Sequence, residues 1–309
     1  MAALTTLVPV FFMLGLGYLS RVKGWISPDQ KAGANTLVFS ILFPILIFNL
    51  LGSAQLQLET AAVVAYVTLA FFLAIILGRN LTGFTGKGQG HFSPYLLTTV
   101  EGGAVALPLY LSIVGQSSNT VIFDLAGSII AFLIIPILVA GASEEKKPKA
   151  QLAKEVISHP FVVAILLGLL FNFTGLYAWV IQSSLAPLYS GIINTATGPI
   201  LGTILFVLGY DFKVDFQTLK AMLRLMSVRV AYYGLVILGF FLFFPTYMAD
   251  QTFLIAVLLY FMCPTGFAMP LLIDETFKGE EDRTYAATFI SLYMLVTIVV
   301  YTALVLIFV

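Results

Sequence analysis

The sequence predicts an all-α integral membrane protein of ten transmembrane helices, and three observations predict it. The chain is 60% apolar and 10% charged, where soluble domains run at roughly 45–50% and about 25%. Its apolar residues gather into the runs 4–20, 33–52, 60–78, 93–115, 120–141, 160–177, 186–210, 222–245, 251–273 and 284–309. A hydrocarbon core of about 30 Å needs about 20 such residues per helix. The third observation is that basic residues alternate between gaps. Arg21, Lys23 and Lys31 sit in the first gap, Arg79 and Lys87 in the third, and Lys146, Lys147, Lys149 and Lys154 in the fifth. Lys213, Lys220 and Arg224 fill the seventh and Lys278 and Arg283 the ninth, while the even gaps and both chain ends hold none. Short loops rich in Lys and Arg stay cytoplasmic, so both termini are expected outside a cell membrane.

Taken in order, the first run has no basic residue before Arg21, unlike the n-region of a cleavable signal, and reads as a retained helix. Trp25 reads as an interfacial anchor, and the abundant Phe and Tyr as facing lipid or the interface. The gap Ser143–Ser158 is the one sizeable polar stretch. It divides the chain into a first repeat, 1–142, a cytoplasmic linker, 143–159, and a second repeat, 160–309. Five helices per half require the second half to enter the membrane from the opposite side, which is the inverted repeat of many secondary transporters. Residual similarity agrees: Gly102-Gly-Ala-Val-Ala-Leu-Pro108-Leu109 in the fourth run parallels Pro264-Thr-Gly-Phe-Ala-Met-Pro270-Leu271 in the ninth. Pro44-Ile45-Leu46 in the second parallels Pro199-Ile200-Leu201 in the seventh.

Proline removes a backbone donor and clashes with the preceding turn, and glycine lowers the cost of leaving helical geometry. Residues 102–108 and 264–270 are therefore expected to break the fourth and ninth helices, which would cross near the midplane. Irregular backbone at that depth survives only when buried in protein or lining a wet cavity. Half-helix N-termini would attract an anion and half-helix C-termini a cation.

At these residues the chain resembles the auxin efflux carrier family, which includes bacterial organic-acid permeases and plant PIN carriers. Val8-Pro-Val-Phe-Phe-Met-Leu-Gly-Leu-Gly-Tyr18, Phe43-Pro-Ile-Leu-Ile-Phe48, Phe206-Val-Leu-Gly209 and Pro264-Thr-Gly-Phe-Ala-Met-Pro270 are similar to its first, second, seventh and ninth helices. The resemblance implies a scaffold of helices 1, 2, 6 and 7, a mobile transport unit of 3–5 and 8–10, crossing at prolines, and a homodimer. Plant members carry an asparagine where this chain has Glu101, which resembles the bacterial pattern and points away from auxin and from an uncoupled mechanism.

Glu101 lies about 10 Å into its run at 1.5 Å per residue. A carboxylate there costs at least about 2.5–3.5 kcal/mol unless protonated or paired, so it reads as the site of a coupling H⁺ or Na⁺. Asp124, placed in the first turn of helix five, reads as complementing the helix dipole or as a second ion site. Arg229, five residues after Arg224, reads as snorkelling to the interface, with pairing to Glu101 or a substrate carboxylate as the other reading. The expected substrate-binding residues are Gly102, Gly103, Pro108, Thr265, Gly266, Pro270 and Asn49. Thr288, Ser291 and Thr297 of helix ten could also face the crossing. Asp274 and Glu275 read as solvated.

The remaining classes are disfavoured. Cys263 is the single cysteine and His91 and His159 are far apart, so neither a disulfide nor a metal-ligand cluster is expected. Hydrolase, zincin and P-loop motifs are missing, so no enzyme activity, metal or organic cofactor is expected. Fifteen acidic residues balance fifteen basic ones, leaving no face for nucleic acid. The expected partners are the lipid bilayer, a small organic anion such as a mono- or dicarboxylate or an auxin-like acid, and a second copy of the chain. A cation/proton antiporter and a non-transporting ligand sensor are the alternatives.

Overall fold

The computed structural model describes residues 2–54, 58–115, 117, 119–140, 158, 160–211, 219–267 and 269–309. The expected linker 143–159 lies outside them apart from Ser158. Among the described residues the regular structure is helical and no strand occurs. The first part of the chain gives α1 Ala2–Lys23, α2 Pro28–Leu37, α3 Phe43–Gly52, α4 Leu58–Asn80, α5 Thr82–Thr85, α6 Ser93–Leu97, α7 Leu107–Val114, α8 Asn119–Ile129 and α9 Ile135–Ala140. The second gives α10 Pro160–Phe173, α11 Leu176–Gln182, α12 Ala186–Thr197, α13 Ile200–Asp211, α14 Leu219–Phe243, α15 Pro245–Met248, α16 Gln251–Tyr260, α17 Met269–Leu272 and α18 Glu280–Phe308.

Local sequence explains where these begin and end. Ser27 and Gln30 form a reciprocal capping box ahead of Pro28, so the second span starts five residues before the apolar run does. Asp250 caps α16 by accepting from Phe253 N at 2.8 Å. Its bonds to Thr252 and to that backbone N–H hold its carboxyl below the usual range. Gly175, at φ 74°, turns the sixth run so that its two pieces bend by 69°. Five helices among the described residues are long and apolar enough to cross a membrane, Pro28–Gly52, Thr60–Asn80, Ala186–Val207, Met222–Phe243 and Glu281–Phe308, and the bent pair makes a sixth. The fourth and ninth runs are each interrupted.

Three π-helical segments share one cause. Val38–Leu42, Gly102–Ala106 and Ile130–Ile134 each end two residues before a proline, Pro44, Pro108 and Pro136. A proline ring clashes with the carbonyl of the preceding turn and offers no N–H. Widening that turn relieves both defects without ending the helix. Pro108 accordingly sits inside continuous helix at the start of α7. The expectation that residues 102–108 form the break is corrected: the break lies just upstream, at Thr98–Glu101.

The main contacts place α1 on α13, α3 on α10 and α12, α4 on α6 and α8, and α16 on α8 and α18, while α1 also touches α18 and α3 touches α8. The α1–α13 contact is backbone to backbone. A Cβ at Gly17 would fall 1.9 Å from Phe206 O, and one at Gly209 would fall 1.9 Å from Leu14 O. Small residues permit this approach between membrane helices. Gly209→Ala is expected to cost about 1–3 kcal/mol because neither backbone can yield. Gly15→Ala, with nothing within 4 Å of its Cβ, should leave the thermal midpoint in detergent unchanged.

Many aromatic residues expected at the lipid face are inside. Tyr233, Tyr260 and Tyr293, with Phe71, Phe123, Phe240 and Phe261, are fully buried. Phe261 packs on Phe71, Phe123, Tyr233 and Phe240 with centroids 5.4–6.3 Å apart. Broken helices leave wide gaps, and large rings fill them. This aromatic wall stands directly behind the two interruptions.

Candidate functional site at the two helix interruptions

The two interruptions are bonded to each other. After α6, Thr98 is extended and Thr99 takes φ 50°, the single positive φ of a non-glycine residue among the described residues. A β-branched residue there is strained and persists only when its surroundings hold it. After α16, Phe261–Cys263 turn and Pro264–Gly266 leave helical geometry. Glu101 N donates to Pro264 O at 2.7 Å, and Phe267 N donates to Glu101 Oε2 at 2.5 Å. Thr265 Oγ1 donates to Leu96 O at 2.5 Å. A Cβ on Gly266 would lie 3.7 Å from Thr99 Oγ1 and 3.9 Å from Glu101 Oε2, so that glycine faces both.

Arg229 joins the same place from α14. Its Nη1 donates to Leu96 O, Leu97 O and Thr98 O at 3.0, 2.9 and 3.4 Å, and its Nη2 to Thr99 O and Cys263 O at 2.7 and 3.2 Å. The guanidinium carbon stands 4.8 Å from the Tyr233 ring centre and 5.1 Å from that of Tyr293. The residue is 0% exposed. The snorkelling reading is therefore corrected: the side chain points inward. The last carbonyls of a helix lack partners and carry partial negative charge, and here a buried cation receives them. Tyr233 OH to Leu97 O at 2.9 Å, Thr98 Oγ1 to Phe71 O at 2.7 Å and Thr297 Oγ1 to Met262 O at 2.8 Å brace the same backbone.

Asp124 also reaches the interruption. It sits in the second turn of α8, not the first, so the dipole reading is corrected. Its Oδ1 accepts from Tyr260 OH at 2.8 Å. A Cβ on Gly102 would fall 1.8 Å from that same oxygen, so the carboxylate occupies the space the glycine leaves. Two carboxylates, Glu101 and Asp124, thus flank the start of the resumed helix.

The other expected residues divide. Gly102 and Gly103 are buried at that start. Thr265 is buried and directed at Leu96 O. Phe267 and Pro270 line a cavity of about 920 Å³ with Phe11, Leu14, Lys31, Arg283, Thr288 and Ser291. Thr297 does not line it. Asn49 is elsewhere: its Oδ1 accepts from Tyr189 OH at 2.9 Å, and it lines a second cavity of about 580 Å³ with Ser53, Thr60, Ser117, Asn119 and Thr252. The structure therefore does not bring Asn49 to the interruptions.

Two ion contacts connect the segments beyond the interruptions. His91 Nε2 lies 2.7 Å from Asp282 Oδ2, joining the stretch before α6 to the start of α18. Asp274 is not merely solvated, because Arg283 holds it at 2.7 and 3.0 Å and keeps its carboxyl below the usual range.

Reading the sequence missed Thr99, Tyr260 and Phe267 as site residues. For Arg229 a signal existed. Met222, Leu225, Arg229, Tyr233, Val236 and Phe240 recur at helical spacing and are all buried, so the arginine occupies the middle of an inward apolar stripe.

No curated protein matches the chain. A family model described as membrane transport protein matches residues 2–308, essentially the whole length, and several helices are apolar enough to span a bilayer. The chain is thus a multi-pass membrane protein and belongs to the membrane transport protein family, that of the auxin efflux carriers.

Proposed function

We propose that the protein is a secondary active transporter that takes up a small organic anion, a mono- or dicarboxylate, by alternating access coupled to H⁺ or Na⁺ through Glu101. One observation carries the reading: a cavity of about 920 Å³ is lined by Phe267 and Pro270 of the ninth-run interruption together with Lys31 and Arg283. Its size suits a small organic ligand. Phe11 and Leu14 would pack the apolar body, Thr288 and Ser291 would meet polar substituents, and the carboxylate would take the Phe267 N–H that Glu101 accepts here. The cavity lined by Asn49, Ser117 and Asn119 would serve as the approach from the other side.

The ten-crossing, inverted five-plus-five arrangement and the outside termini belong to this proposal, as does a homodimer. The extensive contacts of α1 with α13 and of α3 with α10 support a fixed scaffold against which α4, α6, α8, α16 and α18 would move. A cation/proton antiporter is the second reading, favoured by the second carboxylate, Asp124, beside Gly102.

Counterflow of labelled mono- and dicarboxylates in proteoliposomes tests the proposal. Exchange of an unlabelled internal acid for its labelled form supports it. Cation flux that needs no carboxylate selects the antiporter, and neither flux overturns both readings.

A further inference from the structure

A cation drawn to the interrupted helices would use the carbonyls that end α6 and α16. Those of Leu96, Leu97, Thr98, Thr99 and Cys263 already receive hydrogen bonds from Arg229. The last carbonyls of a helix carry partial negative charge, and one guanidinium meets those of both segments. Its position is not exchangeable. Arg229 is tethered to α14, fully buried, and held between the rings of Tyr233 and Tyr293. A metal ion at these carbonyls would have to sit against a permanent positive charge.

The negative groups lie on the other flank. Glu101 accepts from Phe267 N, and Asp124, one residue away across Gly102, accepts from Tyr260 OH. The titratable groups facing them are Tyr260, bonded to Asp124, and Cys263 of the turn after α16, while Arg229 stands with Tyr233 and Tyr293 on the carbonyl flank. Both carboxylates are half-buried, and like charges brought close together raise each other's affinity for a proton and titrate as a pair.

We infer that Arg229 is the resident cation of the interruptions and that the ion travelling with the substrate is a proton shared by Glu101 and Asp124, not a metal ion held by the carbonyls. The second half rests on the transport reading above. One proton binds the pair from the outer side and leaves to the inner side, and no bond in the substrate changes. Arg229 is a positioning residue in this scheme, since it acts through the backbone it holds.

The experiment has two arms. In the first, wild-type proteoliposomes take up a labelled carboxylate under either an imposed pH gradient at equal Na⁺ or an imposed Na⁺ gradient at equal pH. With one proton per substrate, accumulation should approach about tenfold per pH unit and be indifferent to Na⁺. Accumulation that follows Na⁺ at constant pH overturns the inference and leaves the transporter reading intact. Absence of counterflow for every acid overturns the transporter reading instead.

The second arm needs no substrate. Purified Arg229→Ala should show a lowered thermal midpoint that millimolar guanidinium partly restores and equal sodium does not, while wild type responds to neither. Restoration by sodium, or an unshifted midpoint, contradicts the resident-cation role. If Arg229→Ala yields no folded protein, Arg229→Lys takes its place. Lysine keeps the charge but not the fork of donors, so its midpoint should fall between wild type and a neutral Arg229→Gln.

Discussion

Replacing Arg229 with leucine is expected to lower stability in detergent by at least about 3 kcal/mol, because buried carbonyls left without a donor cost about 1–3 kcal/mol each and are not additive. Five carbonyls are affected, from two segments far apart in the chain. Leucine also leaves a void against Tyr233 and Tyr293, which now contact the guanidinium. The loss should appear as a fall of roughly 5–10 °C in the thermal midpoint. Arg224→Leu is the control, since Arg224 lies one turn and a half earlier on an exposed face. Equal midpoints for the two variants would show that the guanidinium does not hold the helix ends.

Gly102→Ala should affect transport more than stability. The new methyl would lie 1.8 Å from Asp124 Oδ1 and 2.2 Å from its Cγ, so the carboxylate must leave. The backbone of the resumed helix can stay, since alanine suits helical geometry. What is lost is the Tyr260–Asp124 bond, a hydrogen bond to a carboxylate worth about 1.5–3 kcal/mol, or roughly 10- to 100-fold in an equilibrium. Uptake should fall by a similar factor with the midpoint moving only a few degrees. Tyr260→Phe in the Gly102→Ala background should add little further loss, because both changes remove the same contact.

The all-helical, membrane-spanning class was legible from the apolar runs, and the interruption of the ninth run from Pro264 and Gly266. The fourth-run interruption was placed too late. Pro108 looked like the breaker, but a π turn at Gly102–Ala106 absorbs it, and nothing in the spacing of residues distinguishes an absorbed proline from a breaking one. The break instead uses Thr98 and Thr99, residues with no turn signature. Asp124 was recognised as a candidate but misplaced, since its neighbour Gly102 is distant in sequence and only the close approach of α8 reveals the pair. Arg229 was misread because its distance from a basic gap was used instead of its helical phase. Asn49 was grouped with the crossing on the strength of a proline motif, and its tyrosine partner, Tyr189, lies in another helix.

The candidate residues group by physical role. Arg229 and Thr265 spend their donors on backbone carbonyls and so shape the site. Glu101 and Asp124 bring two negative groups to the start of the resumed helix. Phe267 and Pro270 connect that place to the larger cavity.

The most direct test of Glu101 as the coupling residue is labelled-carboxylate uptake by wild type and Glu101→Gln, measured both as counterflow at equal pH and as accumulation against an imposed ion gradient. Glutamine can still accept from Phe267 N but cannot change charge. The account predicts that Glu101→Gln retains exchange and loses gradient-driven accumulation. Accumulation equal to wild type in the variant would contradict it.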